Sequence, residues 1–150
     1  MLPTERLDFS AIAHRPKLAL PDRARLAVWV IVNVEEWDPA QPMPRTVLKT
    51  RAKPIVNLPY TQECNDVAMM LIQHHKASEY HDRACDQFDQ LYADARHSSR
   101  VMALVVHPYI MGAPHRLRYF RSALAHIRQH PGVLFWTGEQ ILDWYLAQRG

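Results

Sequence analysis

The sequence predicts an α/β chain in which about four parallel strands carry helices on their outer side. Three observations lead there. The runs "RLAVWVIVNV" (25–34), apolar without a break from Leu26 to Val32, and "VMALVV" (101–106) are rich in valine, as strands buried on both faces are. The segments 79–97 and 114–130 show a helical period. Strand and helix signals alternate along the chain, and a parallel pair needs a crossover long enough to hold a helix.

Taken in order, residues 1–22 contain Pro3, Pro16 and Pro21, which block regular structure. The first strand spans 25–34. "WDPAQPMPRTVLKTRAKP" (37–54) holds four prolines and no period, and is long for a loop within a compact domain. "PIVNLP" (54–59) reads as a short strand. "NDVAMMLIQHHKA" predicts a helix, capped by Asn65 and Asp66, with Val67, Met70 and Leu71 on one face. In "EYHDRACDQFDQLYADARH", Ala84, Phe88, Leu91, Tyr92 and Ala95 stand at helical spacing. The strand 101–106 is closed by His107 and Pro108. Residues 114–130 place Leu117, Phe120, Leu124 and Ile127 on one stripe, and Pro131-Gly132 stops that helix. "VLFWT" (133–137) is the last strand. Thr137 with Gln140 forms a capping box that opens the final helix.

The 150 residues are read as one domain, 1–150. Apolar residues make up 48% and charged ones 22%, as in ordinary soluble chains. A net charge of +3, spread evenly, argues against nucleic acid or an anionic membrane surface as partner. No apolar run reaches about 18 residues, the length a membrane span needs. "MLPTERLDFS" lacks the apolar core of a signal peptide, and Cys64 and Cys85 stand apart; both point to a cytoplasmic protein with reduced thiols.

In parallel sheets, ligands gather at the carboxyl ends of the strands. There the first strand runs into Asn33, Glu35 and Glu36, and the later one into His107. A carboxylate and an imidazole can divide acid–base work on an amide, one activating water and the other protonating the leaving nitrogen. On spacing alone, a histidine that closes a strand is more often structural than catalytic, and carboxylates at a strand end are often simply solvated. In "YTQECND", helix capping accounts for Thr61, Asn65 and Asp66 without any function.

Nine histidines invite a metal reading. "HIRQH" sets His126 and His130 one helical turn apart, a geometry able to hold one ion such as zinc. We read it instead as a surface pair, favoured by the helix C-terminus, and expect no cofactor. His74, His75 and His81 read as surface. Trp29, Trp37, Trp136 and Trp144 read as core or edge residues, too dispersed for base stacking.

Four segments together resemble the allantoinase-like branch of the polysaccharide deacetylase superfamily: "RPKLALPDRARLAVWVIVNVEEW", "KPIVNLPYTQECND", "RVMALVVHPYIMGAPHR" and "GVLFWTGEQILDWY". The resemblance implies a (β/α) barrel and a hydrolase of non-peptide C–N bonds. Its substrate would be a small amide, a ureide or an acetamido sugar. The family's acidic motif falls on Asn33 and Glu35, where metal-dependent relatives hold two aspartates. Asn33 cannot act as a base, and the N-x-E form is similar to that of the branch working without a metal. The resemblance makes Glu35 the activator of water, His107 the general acid, and Asn33, Glu36, His115 and Arg116 substrate contacts.

Relatives run about twice this length, and the resemblance passes from first-third to last-third segments near Leu48. It therefore implies a partial barrel, internally shortened, with 37–54 as the junction. The competing expectation is a non-catalytic remnant or interaction module. Open sheet edges would favour a homo-oligomer in either case.

Overall fold

Parallel pairing organises the chain. In the computed structural model, which describes residues 12–35 and 58–148, strand β1 (Leu26–Val32) lies between β2 (Arg100–Val106) and β3 (Val133–Phe135). β1 and β2 run parallel and in register over their whole length, from Leu26 opposite Arg100 to Val32 opposite Val106. β3 pairs only with Leu26, Ala27 and Val28. The α-helices among the described residues are α1 (Ala77–Asp94), α2 (Pro108–Met111), α3 (Pro114–Arg128) and α4 (Gly138–Ala147). This is the expected α/β alternation, with three strands among the described residues. Of the further strand expected at 54–59 only Leu58 and Pro59 are described, and the junction 37–54 lies outside the described residues.

Strand side chains alternate between faces. Leu26, Val28, Met102, Leu104 and Val106 pack with Tyr80, Ala84 and Phe88 of α1 and Phe120, Ala123 and Ile127 of α3 in one buried cluster. On the other face Ala27 meets Leu20 and Ala24, flanked by Leu134, Trp136 and Trp144. Each fully buried large side chain such as Phe88 contributes about 1.5–3 kcal/mol. Gly132 takes the left-handed φ of 72° that the turn after α3 requires. Its carbonyl accepts Arg25 N–H at 2.7 Å, which sets β3 beside β1. Thr137 and Gln140 form the expected reciprocal cap of α4. Both cysteines are free. No helix among the described residues is long and apolar enough to cross a membrane.

One element departs from expectation. The helix expected from Asn65 onward is a short π-helical turn, Val67–Ile72, that buries Met69 and Met70. Leu71, expected on the buried face, is exposed, as is Ile72. The cause is a lateral tie: Val105 N–H donates to the Cys64 carbonyl at 2.9 Å, and Asn65 bridges Val105 in parallel. The chain thus enters the turn from beside β2, and the wider turn rotates the apolar stripe away from ordinary α spacing. His74, at φ 58°, follows the turn in the left-handed region.

Candidate functional site

Register builds the site. Because Val32 and Val106 are partners, the next residues, Asn33 and His107, are level with each other. The ladder continues one step, with Asn33 N–H donating to the Val106 carbonyl at 3.0 Å. The Asn33 amide nitrogen then lies 3.4 Å from His107 Nε2. Glu35 returns two residues later, its Oε1 3.5 Å from the same nitrogen. Pro108 starts α2 directly after His107, whose carbonyl accepts the N–H groups of Ile110 and Met111 at 3.0 and 2.9 Å.

The other side of the imidazole is held by Asp66. Its Oδ1 accepts from His107 Nδ1 at 2.6 Å, and its Oδ2 accepts from the His107 backbone N–H at 2.8 Å. Asp66 is fully buried and His107 is 4% exposed, whereas the Glu35 side chain is 35% exposed. A carboxylate carries no proton to donate, so Nδ1 bears the hydrogen and Nε2 faces Glu35 and Asn33. When neutral, Nε2 accepts from the Asn33 amide; when protonated, it donates to Glu35. The two neighbours therefore serve the two protonation states.

This corrects the sequence reading of Asp66. The helix cap is Asn65, whose Oδ1 accepts Val67 N–H at 3.0 Å, and Thr61 Oγ1 accepts Glu63 N–H at 2.9 Å as a local turn contact. Asp66 makes no capping bond. It is carried to His107 by the Cys64–Val105 tie, reinforced by Tyr80, whose hydroxyl donates between the Cys64 and Val105 carbonyls at 3.4 and 3.3 Å. Burial pushes the Tyr80 hydroxyl well above its ordinary ionisation range, so it stays a donor. A cap and a buried partner look alike in sequence, since both are an aspartate before a helix.

The remaining expected contacts are placed as follows. Arg116 Nη1 donates to the Ile110 carbonyl at 3.3 Å, bracing the end of α2. His115 is exposed on the first turn of α3. Among the hydrogen bonds and ion pairs of the described residues, none links either to His107 or Glu35. Glu36 lies outside the described residues. Sequence reasoning passed over Tyr109, whose ring meets His107 edge-on at 5.7 Å. Desolvation, with the charges of Glu35 and Asp66, raises its hydroxyl above the usual range and keeps it a donor.

Among the described residues, the donors here are too few to hold a resident metal. Among the described residues around Nε2, only Glu35 and His107 offer metal donors, since Nδ1 is engaged by Asp66 and Asn33 turns its amide nitrogen inward. Catalytic zinc sites use three protein ligands. A cleft of about 580 Å³ lies elsewhere, against Trp29, Val101, Ala103 and α4.

No family model matches the chain, and no curated protein does. Solved structures are similar in fold. PuuE allantoinase superposes with a TM-score of 0.57 at 24% identity, covering 60% of this chain and 30% of the allantoinase. A probable polysaccharide deacetylase from Pseudomonas aeruginosa PAO1 gives 0.58 at 24% identity, covering 73% of this chain and 34% of its own. The α/β architecture is thus a partial form of the deacetylase-type barrel. The matched part is about a third of the length of either protein.

Proposed function

We propose that the chain is a hydrolase of non-peptide carbon–nitrogen bonds in a small amide, ureide or acetamido sugar. The observation that carries this reading is the ordered series Asp66–His107–Glu35 at the ends of two in-register parallel strands. The fold likeness to an allantoinase and a deacetylase supports the choice of C–N bond.

Glu35, the exposed member, takes a proton from water as the oxygen attacks the carbonyl carbon. His107, protonated at Nε2, gives that proton to the nitrogen as the C–N bond breaks. Products are an acid and an amine. Glu35 is left protonated and His107 neutral, and a proton passing across their 3.5 Å separation restores both. Asp66 touches no substrate; it is a positioning residue that holds the ring with Nε2 outward. No step is routed through a metal.

The test is hydrolysis of a panel of ureides, cyclic imides and acetamido sugars, with and without chelator. Turnover that survives chelator and falls by about 10²–10⁴ in His107→Ala is expected. Unchanged turnover in that variant would end the proposal. The second reading, a non-catalytic remnant, is favoured by one observation: the chain covers only 30% and 34% of the proteins it resembles. Absence of turnover across the whole panel by folded protein would establish it.

A further inference from the structure

We propose that Asp89, His126 and His130 form a zinc site that fastens α1 to the C-terminal end of α3. The spacing of the two histidines on one helix is only half of the argument. The third donor comes from another element: α1 brings Asp89 to His126, with Oδ1 2.8 Å from Nε2. One donor atom from each of the three side chains lies within 4.8 Å of the other two.

Ligands around tetrahedral zinc sit roughly 3.3 Å apart, given bonds of about 2.0–2.1 Å. Closing the set therefore needs a side-chain adjustment of roughly 1–1.5 Å. Asp89, at 54% side-chain exposure, has that freedom. The rings themselves are positioned. Phe88 meets His126 at 5.7 Å and His130 at 4.9 Å, and Tyr92 meets His130 at 5.1 Å, all edge-on.

The tautomer of His130 is already that of a ligand. Its Nδ1 lies 3.0 Å from the His126 carbonyl. A carbonyl only accepts, so Nδ1 carries the hydrogen and Nε2 presents a lone pair. An outer hydrogen bond of this kind is what orients metal-binding histidines. On zinc binding, His126 exchanges its hydrogen bond to Asp89 for coordination, with its ring hydrogen moving to Nδ1. The carbonyl ends of α3 add a partial negative charge that favours a cation.

Two imidazoles and one carboxylate select zinc, or copper and nickel, over magnesium and calcium, which take oxygen. Three protein ligands on a half-exposed surface leave the fourth position to water. The site is separate from the strand ends: Pro114 and His126 are about 18 Å apart along α3, at 1.5 Å per residue. Its role is a clasp between the two helices that pack behind β2.

The experiment uses the full chain, stripped with chelator and titrated with Zn²⁺ against a chromophoric indicator. One equivalent bound is expected, with a thermal midpoint that climbs with zinc concentration. Asp89→Asn and His130→Gln should each weaken binding by about tenfold or more, while His81→Gln, a half-buried histidine elsewhere on α1, leaves it unchanged. Circular dichroism confirms that each variant is folded. The proposal is overturned if no equivalent binds, or if zinc binds both the Asp89 and His130 variants as tightly as the native chain.

Discussion

Replacing Asp66 by asparagine isolates what the buried carboxylate does. The native oxygens accept two N–H groups from one residue, at 2.6 and 2.8 Å, in surroundings without exposure. Asparagine keeps the shape but offers one acceptor and one donor. Its carbonyl can still serve the backbone N–H, and its amide nitrogen then confronts Nδ1. The imidazole must move its hydrogen to Nε2, and both bonds to His107 lose the charge of their acceptor. Hydrogen bonds to charged groups contribute about 1.5–3 kcal/mol. With an m-value of about 2 kcal/mol/M, the urea midpoint should fall by roughly 1 M. Asp66→Ala, which leaves both donors buried without a partner, should lose about 3–5 kcal/mol. ¹⁵N-resolved spectra of the imidazole read the tautomer directly and need no substrate. The expected result is hydrogen on Nδ1 in the native protein at high pH and on Nε2 in the asparagine variant. A native ring carrying its hydrogen on Nε2, or a variant unchanged in both tautomer and urea midpoint, would refute the assignment.

Three further outcomes are expected. Burial pushes the Cys64 thiol from 9.0 up to about 11, so the folded state disfavours its thiolate. Stability is complete below pH 9 and declines between 9 and 11 as the unfolded chain ionises first, by about 1.4 kcal/mol at pH 10. Urea titrations at pH 8 and 10 should show this slope reduced in Cys64→Ala; an equal slope in both proteins would dismiss the thiol as its source. A Cβ at Gly138 would stand 2.7 Å from the rim of the Trp29 ring. Gly138→Ala should therefore destabilise by about 1–3 kcal/mol through overpacking, despite alanine's better helix propensity, and a rise in melting temperature would contradict it. Finally, β3 offers a three-residue outer edge, and Val32, Val34, Val101 and Phe135 are exposed. Self-association is expected, and a concentration-independent monomer in sedimentation would exclude it.

Much of the fold was legible because its signals are local. Apolar runs marked β1 and β2, the Phe88 and Phe120 stripes marked α1 and α3, Pro131-Gly132 marked the end of α3, and Thr137 marked the start of α4. Register was not legible, yet it brings Asn33 and Glu35 to His107. It follows from pairing across 74 positions, between chain segments whose apolar faces would tolerate no one-residue slip. Asp66 was misread for the same reason. Its partner is 41 residues away, and a tertiary contact overrode the local capping preference. The third zinc donor was equally hidden, since Asp89 is an ordinary exposed residue until α1 packs on α3.

Exposure rises along the series, and with it the access each member has to solvent. Asp66 at 0% can orient but never meet a substrate, His107 at 4% can exchange a proton only through Nε2, and Glu35 at 35% can reach water. Glu35 follows β1, His107 follows β2 and Asp66 lies on the segment tied to β2's edge, beside the three strands of the described residues. The contacts within the series are all made among the described residues. Stabilising the oxyanion of an amide needs more, because preorganised donors must face the attacked carbonyl from outside this group. The tautomer of His107 and the hydrolysis of an amide are consequently independent readouts. An intact series without turnover would place the deficit in the oxyanion donors; a scrambled series with turnover would place the reaction at another site.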